Sequence, residues 1–188
     1  ELEADSTLTS EYIMLRRRLD KVDPEKERKK VRYLKAAQCA DGGWPIYYGG
    51  PSDISASVKA YFALKLAGVS PDDPCMHKAK KIILDMGGVI RTNVFTKIAL
   101  ALFDQYDWHG IPSMPPEIIL LPKQFPVNIH SVSYWSRVVL VPLLIIYASR
   151  PVNQIPKECA IDELYVVPRD KVRIRKGPPF ETDPRLVS

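Results

Sequence analysis

The chain has 188 residues, of which 46% are hydrophobic and 26% are charged, and its formal net charge is +5. These values are typical of a soluble globular domain that is long enough to bury a core. Three cysteines, an odd number without CxxC spacing, argue against a disulfide framework or a zinc site and fit reduced thiols in the cytosol.

The spacing of apolar residues predicts seven helices, separated by turns rich in proline and glycine. In chain order we expect them at about 7–20, 24–38, 53–66, 74–86, 93–105, 117–121 and 129–148. Asp23 should cap the second helix, and Gly68 should end the third. The first helix carries an apolar set at helical spacing, namely Leu8, Tyr12, Leu15 and Leu19. Strand-like alternation is absent, so the predicted class is all-α.

Part of the helical pattern occurs twice. The segment 19–43 resembles 66–88, and Lys59–Leu64 parallels Lys97–Leu102. One helix of each pair is rich in alanine and apolar, hence inner, and the other is charged, hence outer. This is typical of an α/α barrel or toroid, and a helical solenoid would share it. We therefore expect a partial α/α barrel over 1–154, followed by an irregular Pro-rich tail at 155–188 that links or wraps over a surface.

Basic residues are concentrated in two helices and in the stretch 169–176. A solvated helix face explains the first group, so we predict no nucleic-acid partner. The tail cluster could instead meet anionic lipid. The apolar run 138–148 has 11 residues, too few for a bilayer, which needs about 20, so a buried inner helix is favoured over an anchor.

The segment 32–44, with Gln38, Gly42, Gly43 and Trp44, resembles the QW repeat of class II triterpene cyclases. In such a repeat we expect the glutamine amide to satisfy a free helix-end group and lie on the indole, while the glycines turn the backbone. Further segments resemble the N-terminal half of squalene–hopene cyclases in the same order: 48–53, 59–68, 94–97, 114–118, 126–129, 133–137 and 163–165.

The resemblance implies a membrane-attached enzyme of two helical barrel domains, with no cofactor and no metal, that cyclises squalene through carbocations. The proton donor of the family lies in an Asp-x-Asp-Asp motif of the other domain. This chain has no such motif, since Ser70–Pro74 lacks the first aspartate and Asp73 should be an N-cap. We therefore expect no catalytic residue here and no activity from the chain alone. The remaining catalytic domain of the same protein is the expected partner.

Two positions match the family's cavity. Trp135 corresponds to a cavity-wall aromatic that would face a cation, although a plain core indole is the alternative. Glu11 corresponds to an acidic residue in the polar network behind the general acid, although a helix-surface glutamate would look the same. Where some relatives carry Glu, Arg and Trp, this chain has Lys59, Asn93 and Ala99.

Further expectations follow from the residues and from the resemblance. The first residue is Glu1, so the start is expected to be a cut point. The full-length protein is expected at the cytoplasmic face of a membrane, while this segment itself would be soluble and cytoplasmic. A partial barrel exposes inner faces, so self-association into a homo-oligomer is expected. A stand-alone helical scaffold that binds lipid or protein is the main alternative. A protein prenyltransferase β-subunit would need zinc, for which ligands at suitable spacing are lacking.

Overall fold

The computed structural model describes residues 5–112, 115–125 and 128–169. Within these residues the chain forms six α-helices: α1 Ser6–Arg18, α2 Pro24–Ala36, α3 Ile54–Leu66, α4 Pro74–Asp85, α5 Val94–Ala101 and α6 Tyr134–Ser149. Short 3-10 helices lie at Val89–Arg91, Trp108–Gly110, Pro116–Leu120, Ile129–Ser131, Lys157–Cys159 and Asp162–Leu164. The all-α prediction is confirmed. A single antiparallel hairpin of two-residue strands, β1 Trp44–Pro45 and β2 Ser52–Asp53, is the small element that the pattern did not predict.

The predicted helix ends hold where a local capping residue defines them. Asp23 accepts a hydrogen bond from the Lys26 amide at 3.2 Å, and Pro24 takes the first helical position. Gly68 follows α3 with φ +86°, and the Val69 amide donates to the Leu64 carbonyl. This is the Schellman pattern expected of a C-terminal glycine.

The chain divides into two compact units. Among the described residues, the first unit contains 5–106 and 153–169, and the second contains 107–152. In the first unit α3 is the central element, because every residue from Ser55 to Leu66 is buried. Helices α1, α2, α4 and α5 all contact α3. The charged helix α2 buries only Leu34 of its 13 residues, so the predicted contrast between an apolar inner and a charged outer helix holds for α2 and α3.

The face of helix α1 that packs against its neighbours lies opposite the face that carries its regularly spaced apolar residues. Its buried residues are Ser6, Ser10, Ile13 and Met14, whereas the predicted apolar set is exposed: Leu8 61%, Tyr12 43%, Leu15 50% and Leu19 52%. Of its neighbours, α1 packs most extensively against α3. The Ser10 hydroxyl remains satisfied because it donates to the Ser6 carbonyl at 2.7 Å.

The stretch 155–169 is packed within the first unit. Ile161 and Leu164 are fully buried, and the Ile161 amide donates to the Gln105 side chain at 2.9 Å. A side chain on Gly88 would lie 2.5 Å from the Leu164 carbonyl, so this stretch runs against bare glycine backbone. The proposed boundary at 154/155 stays a prediction, and residues 170–188 with their basic cluster lie outside the described residues.

In the second unit α6 starts later than expected. Asn128 caps a separate 3-10 helix through the Ser131 amide, and Ser133 then caps α6 through the Ser136 amide. The expectation that α6 is buried is wrong for this chain, because only Leu144 and Tyr147 of its 16 residues are buried. The physical reason is that the main element packed against α6 within its unit is the short helix Pro116–Leu120. No helix in the described part of the chain is long and apolar enough to span a bilayer.

Candidate functional site

Gln38 and Trp44 form a polar junction between helices α2 and α4. The Gln38 amide nitrogen donates to the Gly42 carbonyl at 2.8 Å and to the Cys75 carbonyl, in the first turn of α4, at 2.9 Å. Gly42 has φ +98°, and a side chain there would lie 2.7 Å from the backbone of α4. The turn after α2 can therefore approach α4 only because this position is glycine.

Trp44 is fully buried and fills the helix-end role that was expected of Gln38. Its indole nitrogen donates to the Leu34 carbonyl at 2.8 Å, one of the last carbonyls of α2, which lacks a full set of partners within the helix. Its amide donates to the Ser57 hydroxyl of α3 at 2.9 Å. Gly43 lies directly beside this contact, since a side chain there would meet Ser52 and Ser57 at 3.0 Å or less. The expectation for the glutamine was therefore wrong in detail, because the indole satisfies the helix end.

Glu11 is joined to a buried lysine. The Lys59 ammonium of α3, with its side chain 8% exposed, donates to the Glu11 carboxylate of α1 at 2.7 Å. A charged lysine can be buried only where an anion or several acceptors compensate the lost hydration. Glu11 is therefore a specific partner of Lys59, and α1 is fixed to α3 by this ion pair. Asn93 caps α5 by accepting the Thr96 amide at 2.8 Å.

Trp135 lies in the first turn of α6 and its indole is 80% exposed. Within the described residues nothing covers the indole, and both the cavity-wall role and the core role stay predictions. Tyr134 lies beside it, with the two rings edge to face at a centroid distance of 6.2 Å. The exposure continues along the helix at Val138 and Val139, so Trp135 begins an apolar surface. Trp135 belongs to the second unit, whereas Glu11 and Trp44 belong to the first.

A cluster of Tyr61, Lys65 and Glu163 is the polar site that sequence reasoning missed. The Lys65 ammonium donates to the Glu163 carboxylate and to the Ala160 carbonyl, and the Tyr61 hydroxyl donates to Glu163 at 2.8 Å. Lys65 has a side chain 7% exposed. The i,i+4 spacing of Tyr61 and Lys65 places both on one face of α3. That spacing gave no sign of their partner about 100 residues later in the chain.

The electrostatics of this cluster favour the charged carboxylate. Burial acts to raise the pKa of Glu163, but the hydrogen bonds from Lys65 and Tyr61 outweigh burial and place this pKa below its usual range. Burial and the neighbouring carboxylate both raise the pKa of Tyr61, so its hydroxyl stays a donor. The arrangement positions 160–163 against α3 and commits the Glu163 carboxylate to Lys65 and Tyr61.

The remaining acidic candidate is structural. Asp73 caps α4 by accepting the Cys75 amide at 3.0 Å, and it accepts the Lys35 ammonium at 2.5 Å. These hydrogen bonds, from Lys35 above all, hold the pKa of Asp73 below its usual range. Within the described ranges, no group of three or more His, Cys, Asp or Glu side chains is placed to hold a metal ion.

The first unit is all-α and built around one buried apolar helix, and Gln38 and Trp44 connect the turn after α2 to α4 and α3. The family model of the squalene-hopene cyclase N-terminal domain matches residues 1–185. The chain therefore belongs to the squalene–hopene cyclase family, of which it represents an N-terminal portion.

Three relatives from different organisms agree with this family. The chain is 50% identical over 167 residues to the squalene–hopene cyclase of Zymomonas mobilis subsp. mobilis. The aligned region covers 88% of this chain and 25% of the relative. The chain is 45% identical over 183 residues to the squalene-hopene cyclase of Schizosaccharomyces japonicus, and the aligned region covers 97% of this chain and 28% of the relative. The chain is 41% identical over 170 residues to dammaradiene synthase of Dryopteris crassirhizoma, and the aligned region covers 90% of this chain and 25% of the relative. The chain thus spans about a quarter of the length of these curated relatives.

Proposed function

We propose that this chain is the N-terminal part of an enzyme that cyclises squalene through carbocations to a pentacyclic triterpene, and that it is inactive alone. The observation that carries the proposal is a family match over 1–185 in a chain whose sequence contains no Asp-x-Asp-Asp motif. Protonating an alkene needs a strong, positioned acid. The carboxylates of Glu11, Asp73 and Glu163 are bound to lysines, so we assign the acid to the part of the protein that lies outside this chain.

Trp135 is the residue of this chain that we assign to the cavity wall. A carbocation that migrates along a polyene cannot be met by a carboxylate without being deprotonated or trapped. An aromatic face offers a diffuse negative potential worth about 2 kcal/mol or more where water is excluded. The exposure of Trp135 beside Tyr134, Val138 and Val139 supports this assignment, since an apolar surface of this kind is normally covered by a ligand or by protein.

Glu11 is assigned to the polar network that supports the acid of the other domain. Its ion pair with Lys59 supports this, because the pair fixes the carboxylate while leaving its side chain 50% exposed for a further partner. The Gln38, Gly42, Gly43 and Trp44 junction is assigned as a QW motif. Its support is the pair of contacts that bind the end of α2 to α4 and to α3.

We also assign the full-length protein to the cytoplasmic face of a membrane, as a peripheral or monotopic protein. The argument is that squalene is a hydrocarbon held in lipid, so an enzyme that takes it up must reach a bilayer surface. Flotation of the full-length protein with liposomes tests this. Recovery in the protein-only fraction, at low and high salt alike, would contradict it.

The catalytic proposal is tested by comparing this chain with the complete reading frame that contains it. Both are incubated with squalene in detergent micelles, and products are analysed by gas chromatography with mass detection. The complete protein should yield a polycyclic triterpene and the 188-residue chain none. In the complete protein, Trp135→Ala should reduce kcat by at least tenfold, whereas Trp135→Phe should retain most activity. Polycyclic product from the 188-residue chain, or none from the complete protein, contradicts the proposal.

A further inference from the structure

The apolar stripe of α1 consists of Leu8, Tyr12 and Leu15, together with the C-cap residue Leu19, and it lies opposite the face that contacts α3. Its members are 43–61% exposed, while Ser6, Ser10, Ile13 and Met14 form the buried face. The steps along the stripe are 4, 3 and 4 residues, the alternation of the a and d positions in a heptad repeat. Such a repeat forms a straight seam that suits one further helix crossing at about 20°.

We infer that this stripe is the docking seam for an α-helix from the part of the cyclase that lies outside these 188 residues. The inference rests on the proposed function, because it requires the larger protein. About three quarters of each full-length relative lies beyond the matched region, so the larger chain has ample length to provide such a helix. In α1 the more apolar of its two faces is mostly uncovered in this chain; the Tyr12 ring is covered in part by the Lys30 ammonium of α2, which lies 4.3 Å from the ring centroid.

Two other occupants fit the stripe less well. At 100° per residue Glu11 and Arg16 lie on either side of it, so the apolar face is only one residue wide. A helix that lies in a membrane interface has a much broader apolar face. A second copy of the chain would have to be held by four partly exposed side chains. A stable dimer needs about 800 Å² from each partner, well beyond such a seam. A helix of the same polypeptide can use a narrow seam because its effective concentration is in the millimolar range.

Glu11 gives the seam a defined position. Its carboxylate is held by Lys59 of α3, so α1 cannot rotate about its axis without breaking a pair whose lysine is buried. The stripe is therefore presented in one orientation, as a specific helix contact requires.

The test uses the full-length protein with p-benzoyl-phenylalanine placed at position 15, irradiated and digested, with crosslinked peptides identified by mass spectrometry. A crosslink within one polypeptide to a peptide outside residues 1–188 supports the inference. The same probe at position 48 is the control, since Tyr48 is 87% exposed and outside α1, and it should give at least tenfold less of that crosslink. A crosslink to α1 of a second chain, or to lipid when liposomes are present, overturns the inference.

A second measurement covers the case in which the bulky probe displaces its neighbour. In the full-length protein, Leu15→Cys should react with a hydrophilic maleimide at least tenfold more slowly than Glu25→Cys, read from the individual peptides. Equal labelling rates overturn the inference. Squalene conversion is measured on the unsubstituted protein in parallel. Conversion together with free labelling of position 15 refutes the seam alone, whereas absence of conversion refutes the proposed function.

Discussion

Replacing Glu163 by glutamine tests whether the Tyr61–Lys65–Glu163 cluster holds residues 155–169 against α3. The change keeps the size of the side chain but leaves the Lys65 ammonium, 7% exposed, without its counter-ion. Breaking a buried pair in this way typically costs about 3–5 kcal/mol. Lys65 keeps the Ala160 carbonyl as an acceptor, so we expect the lower end, about 3 kcal/mol. In a protein of this size that lowers Tm by roughly 6–12 °C.

The assay is urea unfolding followed by circular dichroism at 222 nm, with two comparison proteins. Glu25→Gln removes the exposed Glu25–Lys29 pair, whose side chains are 70% and 72% exposed, and should cost less than about 0.5 kcal/mol. The double variant Lys65→Met with Glu163→Leu replaces the charged pair by apolar side chains and should lose less than the Glu163→Gln variant. A loss below about 1 kcal/mol for Glu163→Gln, or a larger loss for the double variant than for Glu163→Gln, would refute the reasoning.

The same pair predicts a pH dependence. The pKa of Glu163 is lower in the folded chain than in the unfolded one, so the unfolded state binds more protons as pH falls. The stabilisation is complete above the unfolded value of about 4.3 and is lost as pH falls through the folded value. The difference in unfolding free energy between the native chain and Glu163→Gln should shrink from pH 7 to pH 3. A constant difference would show that the charge of Glu163 is not what stabilises the cluster.

Two further predictions concern the junction after α2. Trp44→Phe should destabilise the chain by about 2 kcal/mol, because the buried Leu34 carbonyl loses its donor. Trp135→Phe, at an exposed position, should change stability by less than about 0.5 kcal/mol. Equal effects of the two substitutions in urea unfolding would contradict this. Gly42→Ala should cost about 2 kcal/mol or more, since its φ is +98° and its new side chain would strike backbone. Gly49→Ala, with φ +72° and open space around it, should cost only about 1 kcal/mol, and a larger loss there than at Gly42 would contradict the argument.

Sequence reasoning succeeded where a feature depends on a few adjacent residues. Asp23 and Asp73 cap the helices that follow them, and Gly68 ends α3, because each interaction joins residues within one turn. The contrast between the buried α3 and the exposed α2 was also predictable, because α3 is composed mainly of apolar residues and α2 mainly of charged ones. Family membership was predictable from the order of short motifs, which no single motif would have established.

Sequence reasoning failed where the structure depends on contacts between distant parts of the chain. The leucines of α1 recur at helical spacing, yet the buried residues of this helix include Ser6 and Ser10. The burial of α6 was expected from its apolar run, yet burial needs a neighbouring layer. The partner of Lys65 is Glu163, 98 residues away, and no local pattern connects them.

The lysines of α3 show how apolar and charged contacts divide their roles in this unit. An apolar helix that is buried all round could pack in several rotations and translations with similar burial, because hydrophobic attraction has little directionality. Lys59 and Lys65 remove that freedom, since each is satisfied only when one particular carboxylate lies against it. Lys59 selects the orientation of α1, and Lys65 selects the path of 160–163. Removing both charges should therefore affect the uniqueness of the packing more than the burial of α3, and broadened NMR signals from α1 with retained helicity would be the expected result.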